Sequence, residues 1–266
     1  MSETAVLIRQ LWCLTQRDLR RWYRGRLPML TSFLQPFLWL ALFGIAMGSF
    51  VGTIEGIDYF SFLAVGLLIM TAITVSSSVG NNTTWDRRIG FMDQMIAAPM
   101  PRWVIPLSRV LSATLKVIIQ TTLILIIAVL MGLKLTPSFG FGGLLGIYAA
   151  VVCTSLIFAT IFVAIGLALE TPESLGNVNI IFNMPLMFAS GIMYPTTRFP
   201  GWLKTIADAN PLTWAADALR KMCLNVPADL SSLTWISAWG EIGMLALLAV
   251  ATLLVCIFVM KMSLER

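Results

Sequence analysis

Charged residues divide this chain into long apolar runs, at 27–54, 59–85, 117–133, 135–169, 174–197 and 242–260. About 20 apolar residues are enough to cross the hydrocarbon core of a bilayer. A charge at its centre costs roughly 2.5–3.5 kcal/mol on insertion scales, so the runs mark where spans can lie. The pattern predicts six membrane helices, near 28–50, 60–84, 104–132, 142–168, 175–194 and 237–260. The third carries Arg109 and Lys116, which are expected to reach back to the headgroups along their aliphatic stems. The expected fold class is an all-α integral membrane protein, a single transmembrane domain over residues 1–266.

The first 26 residues follow a different pattern. At 100° per residue, Leu7, Ile8, Leu11, Trp12, Leu14, Leu19, Trp22 and Tyr23 occupy one half of a helical wheel, and Arg9, Arg17, Arg20, Arg21 and Arg24 the other. This predicts an interfacial helix over 1–27, lying in the headgroup layer. It lacks the apolar core and small-residue cleavage site of a signal peptide. Two readings of it stand: a membrane anchor, or an anchor that also touches a cytoplasmic partner. Asp18 falls on the apolar half, where Arg21 one turn on is the expected partner.

Six spans place both termini on one side. That side holds Arg9, Arg17, Arg20, Arg21, Arg24, Arg26, Arg87, Arg88, Arg102, Arg109, Lys116, Lys261 and Arg266. The other holds Lys134, Arg198, Lys204, Arg220 and Lys221, so thirteen of the 18 basic residues fall with the termini. By the excess of Lys and Arg on cytoplasmic loops, both termini are expected in the cytoplasm of a multi-pass plasma (inner) membrane protein. The loop 52–58, with Glu55 and Asp58 and no base, then lies outside.

Composition narrows the chemistry. Only 12% of residues are charged, against about 25% in soluble domains. There is no histidine, and Cys13, Cys153, Cys223 and Cys256 are far apart. No His- or Cys-based metal site, catalytic triad or disulfide framework is therefore expected. The net charge of +5 is not gathered into an aromatic-interleaved patch, so no nucleic-acid partner is implied. No GxxxxGK[ST] occurs, so the chain has no P-loop of its own. No carboxylate lies in mid-span, and only Glu241 comes near; an ion-coupled carrier would need one there.

Neutral polar residues crowd the fifth span: Asn177, Asn179 and Asn183, with Asn179 and Asn183 on one face. They form either interhelical hydrogen bonds or a polar path for part of a substrate. Gly44, Gly48 and Gly52 in the first span, and Gly142 and Gly146 in the fourth, repeat at four-residue spacing. Close helix packing is the expectation for both stripes.

Between the second and third spans stands "WDRRIGFMDQMIAAPMPRW", residues 85–103. Ile89, Met92, Met95 and Ile96 follow helical spacing, Asp86, Arg87, Arg88 and Asp93 decorate the flanks, and Pro99 and Pro101 stop the helix. A short cytoplasmic helix with apolar knobs and a charged rim suits a groove on a soluble partner. Two acids argue against its lying on an anionic leaflet.

The segment resembles the coupling helix of ABC-2-type exporter permeases: Asp86, Arg87 and Arg88, then Gly90, then Met92 to Met95 and Ile96, then Pro99 and Arg102. A second match is "SGIMYPTTRFPGWLKTIADANPLTWAADALR", residues 190–220. Tyr194-Pro195, Pro200 with Trp202 and Leu203, Asn210-Pro211 through Trp214, and Asp217 with Arg220 are similar to that family's run after the fifth span. The order of parts is similar over nearly the whole chain. These details look most like the daunorubicin-resistance and nodulation-factor branch.

The resemblance implies a permease subunit without an ATPase site. It would pair as a homodimer or with a sister permease, and with two ABC ATPase subunits that carry ATP and Mg. It implies a coupling helix over 85–101, re-entrant outer helices over 195–235, a last span over 236–260 and a cytoplasmic tail over 261–266. It also implies export of an amphipathic drug-like, lipid or lipid-linked cargo. The alternatives are a polysaccharide or glycolipid exporter permease, and an ion-coupled or regulatory membrane subunit.

Overall fold

The computed structural model describes residues 3–54, 56–137, 139–169, 171–224 and 236–264. Glu55, residues 225–235 of the expected outer segment, and Arg266 of the expected tail lie outside these. The chain is an all-α multi-pass membrane protein. Helix α1 spans Glu3–Arg24. It breaks at Gly25 and continues as α2 (Arg26–Leu38), a π-helical segment (Trp39–Gly44) and α3 (Ile45–Val51). Pro36 supplies no N–H and lies just before the π segment, as an interrupted backbone ladder requires. A two-residue antiparallel pair, β1 (Thr53–Ile54) and β2 (Ile57–Asp58), sets Thr53 opposite Asp58.

The remaining helices are α4 (Tyr59–Arg88), α5 (Phe91–Ala97), α6 (Val104–Leu130), α7 (Phe141–Ala168), α8 (Pro172–Phe188), α9 (Gly201–Ala209), α10 (Pro211–Cys223) and α11 (Ala238–Leu264), with a 3₁₀ turn at Thr196–Arg198. Five segments are long and apolar enough to cross a membrane: Met29–Val51, Tyr59–Arg88, Val104–Leu130, Phe141–Ala168 and Ala238–Ile257. They match the first, second, third, fourth and sixth expected spans. The expected span at 175–194 is cut short, because α8 ends at Phe188 after 17 residues, about 26 Å of helix. Beyond it the carbonyls of Gly191 and Ile192 turn away to accept hydrogen bonds from Arg220, at 2.5 and 2.7 Å.

Helices α4 and α7 form the centre, with α6, α10 and α11 packed around them. Their apolar residues surround the whole helix instead of one stripe, which is the pattern of a helix buried on all sides. The segment Met29–Val51 is the opposite case: only 11% of its apolar window is buried, against 89% for α4. That apolar surface is left to lipid or to another chain.

Each expected glycine stripe has one member in a close contact: a Cβ on Gly44 would crowd the Phe60 ring of α4, at 2.9 Å, and one on Gly146 the Met222 side chain of α10, whereas Gly48, Gly52 and Gly142 face open space within 4 Å. Backbones meet elsewhere. A Cβ on Gly80 would lie 2.6 Å from the Phe162 carbonyl oxygen, and one on Gly166 2.7 Å from that of Gly80, so α4 and α7 cross on this pair. A Cβ on Gly66 would run into the Ile192 carbonyl in the same way. Four-residue spacing marks permissible faces; the crossing point depends on which helices meet.

Candidate functional site: the coupling segment and its charge cluster

Residues 85–103 divide into three pieces. Trp85 to Arg88 are the last turn of α4, the chain turns at Gly90 with φ of +71°, and α5 runs only from Phe91 to Ala97. A left-handed backbone there favours glycine, and the turn lets α5 leave at an angle to α4. Met100 lies between Pro99 and Pro101, which delay the start of α6 until Val104.

Asp86 is therefore not on the rim of α5. It is 1% exposed and is the hub of a buried charge cluster. Its carboxylate accepts hydrogen bonds from Arg17 and Arg21 of α1, each at 2.9 Å, and from Arg109 of α6. Asp18 accepts from Arg17 at 2.9 Å and from Arg109 at 2.7 Å. Three arginines and two aspartates thus tie α1, the end of α4 and the start of α6 into one block. Arg109 is 2% exposed, and such a cation is tolerated only when paired and hydrogen-bonded.

Two expectations are corrected here. Asp18 pairs with Arg17 and Arg109, not with Arg21, because its face of α1 packs on α6. Arg109 and Lys116 do not reach the headgroups: both side chains are enclosed between helices, with Lys116 5% exposed.

The cluster also holds α5. The Arg17 guanidinium lies 4.2 Å above the centre of the Phe91 ring, and Gln10 donates to the Pro99 carbonyl at 3.2 Å. Met92 and Met95 are buried against Ile105, with Leu14, Phe91, Met100 and Leu167 packed around them. They are therefore the anchor of α5 and not its exposed knobs. Its exposed knob is Ile96, with Ile89 exposed at the end of α4, flanked by the exposed Asp93, Pro99 and Arg102. Arg87 donates to the Leu167 carbonyl at 2.6 Å and Arg88 pairs with Glu173 at 3.2 Å, joining α4 to α7 and α8. Of the basic residues assigned to the interfacial helix, Arg20 and Arg24 are exposed, Arg17 and Arg21 enter the cluster, and Trp22 is half-buried against Phe33.

The outer segment forms a second buried arrangement. Asn210 caps α10 by accepting from the Leu212 N–H at 3.0 Å, with Pro211 in the first turn, a pairing that suits helix starts. Arg220 stacks 3.6 Å from the centre of the Phe62 ring and lies 3.8 Å from Asp217. Trp214 donates to the Asp208 carbonyl at 2.7 Å. Tyr194 and Trp202 are exposed and Pro195 is buried. Asn183 donates to Asn179, while Asn177 is exposed, so the asparagines of α8 pair with each other. Asp18 and Arg109 are the site residues that the sequence reading missed. Each was a charge placed among apolar neighbours, which signals an unseen partner.

A family model described as ABC-2 type transporter matches residues 9–224. The chain belongs to the ABC-2 type transporter family. It is 28% identical to a putative transport permease, ycf38, of Cyanophora paradoxa, over 80% of this chain and 73% of that protein. It is 25% identical to the daunorubicin resistance ABC transporter permease protein DrrB1 of Streptomyces coeruleorubidus, over 71% and 66% of the two chains. It is 22% identical to the inner membrane transport permease YadH of Escherichia coli K12, over 94% and 93%. This ABC-2 permease is thus the membrane subunit of an ABC transporter. Membrane subunits of the family are generally not enzymes and generally work with an ABC ATPase partner.

Proposed function

We propose that this ABC-2 permease subunit exports an amphipathic drug-like, lipid or lipid-linked cargo across the plasma (inner) membrane. It works as a homodimer or with a sister permease, driven by two ATPase subunits that hold ATP and Mg on the cytoplasmic face. In this reading α8 completes six spans, both termini are cytoplasmic, and the segment from Tyr194 to Arg220 dips back into the outer leaflet. The observation that carries the proposal is the construction of α5. The short helix offers Ile96 outward, beside the exposed Ile89 that ends α4, while its other face is fixed to α1, α6 and α7. A push on such a helix moves α4 and α6 as one block, because Asp86 and Arg109 join them. The daunorubicin-resistance name of one relative supports the choice of cargo class.

Charge reversal of Arg87 and Arg88, or Gly90→Pro, is expected to uncouple ATP hydrolysis from transport while membrane insertion stays intact. Normal transport in these variants would remove the coupling role of α5. Transport that follows an ion gradient and ignores ATP depletion would replace the proposal with an ion-coupled carrier.

A further inference from the structure

A cavity of about 720 Å³ lies among α1, α2 with its π segment, α4, α6 and the first turn of α8. This is the size range of sites for drug-sized ligands. Its α4 wall runs from Leu67 to Trp85, about 27 Å of helix. The wall is graded. Leu67 and Met70 line one end, and Ser78 and Asn81 line the other.

Lys116 faces this cavity from α6. Twelve residues into that helix, it stands about 18 Å along the axis from Val104 and is 5% exposed. Among the described residues no acid comes within ion-pair distance and no hydrogen bond reaches its ammonium. Its charged neighbours are Asp18, Arg109 and Arg21, one acid against two cations, and Asp18 is already held by Arg17 and Arg109. One turn on, Gln120 is 1% exposed and its Oε1 has no partner; nor does the enclosed Oδ1 of Asn81. A charge inside a spanning helix that is neither paired nor at its end marks a functional site. An ammonium without an acceptor, facing a cavity, is an incomplete contact.

We infer that this cavity binds an amphiphile with one anionic headgroup, a phosphate or carboxylate. The anion pairs with Lys116, and the tail lies along α4 towards Met70 and Leu67. The binding claim stands on the cavity alone; that the occupant is cargo rests on the export reading above.

The probe is lysophosphatidic acid with a brominated tail, compared with the neutral monoacylglycerol carrying the same tail and no phosphate. Binding is read from quenching of tryptophan fluorescence in the full chain, held in nanodiscs of zwitterionic lipid. Trp39 lines the cavity, so Trp39→Phe should lose part of the signal. The anionic probe should bind at least about tenfold more tightly, the scale of one charged hydrogen bond. Lys116→Gln should abolish that preference, and Lys116→Arg should keep it. Equal affinity of the unaltered chain for the two headgroups would overturn the inference, without relying on any variant. So would a Lys116→Gln chain that is folded and retains the preference. In the complete complex with its ATPase, stimulation of hydrolysis by the anionic probe would identify cargo. Binding without stimulation would identify a resident lipid, and either result upholds the site. Loss of transport with binding retained would count against the export reading alone.

Discussion

Replacing Asp86 by asparagine tests the charge cluster that positions α5. The change keeps the side-chain shape and removes the one carboxylate shared by Arg17, Arg21 and Arg109. Its cost depends on which arginine is left unpaired. Arg21 is 55% exposed on its side chain, so solvent screens it and its share is at most about 1 kcal/mol. Arg109 is 2% exposed and keeps only Asp18. Breaking a buried pair from one side costs about 3–5 kcal/mol, so Asp86→Asn should lose roughly 3 kcal/mol or more and Arg21→Gln less than about 1 kcal/mol. The assay is reversible unfolding in mixed detergent micelles, with Arg109→Met as the second arm of a double-mutant cycle. Directly bonded residues should show a coupling of about 1–3 kcal/mol. An Asp86→Asn protein within about 0.5 kcal/mol of the unaltered chain, or strict additivity with Arg109→Met, would refute the reasoning.

Other sites give independent checks. Gly80→Ala drives a methyl into the Phe162 carbonyl and should destabilise the α4–α7 crossing by about 1–3 kcal/mol; Gly48→Ala, with open space around it, should be tolerated in the same unfolding assay. Arg220→Lys keeps the charge but loses the paired donors to Gly191 and Ile192 and the stack on Phe62. It should be markedly less resistant to proteolysis after Met193 than the unaltered chain. Gly90→Ala meets no neighbour, so its cost should be only the left-handed backbone, about 1–2 kcal/mol, read as a lowered unfolding midpoint with insertion intact.

Local patterns made the helices legible and left most of the site hidden. The spans of α4, α7 and α11 follow from gaps between charges, because lipid exposure penalises each charge at its own position in the chain; the start of α6, which contains Arg109 and Lys116, follows Pro99 and Pro101 instead. The end of α8 does not, because it depends on Arg220, which takes the carbonyls of Gly191 and Ile192 from 29 and 28 residues away. Helical spacing put Met92, Met95 and Ile96 on one helix, yet it could not say that the methionines face Ile105 while Ile96 faces out. The true partners of Asp18 and Asp86 lie on other helices, with Arg109 91 residues from Asp18. A signal was still present in the sequence: Asp18 on an apolar face, Asp86 among arginines and Arg109 inside a span are three charges that each required a partner. Lys116 carried the same signal, and the structure leaves it without a bonded one among the described residues.

The central claim, that α5 is the contact through which a partner ATPase drives this permease, is tested most directly by a photo-crosslinker at position 96. It would be activated in native membranes and its products identified by mass spectrometry. Ile96 points outward and Met92 inward, so a crosslinker at 96 should capture a soluble P-loop ATPase and one at 92 only this chain. Capture of lipid alone from position 96, or of the ATPase from elsewhere on the chain but not from α5, would contradict the account.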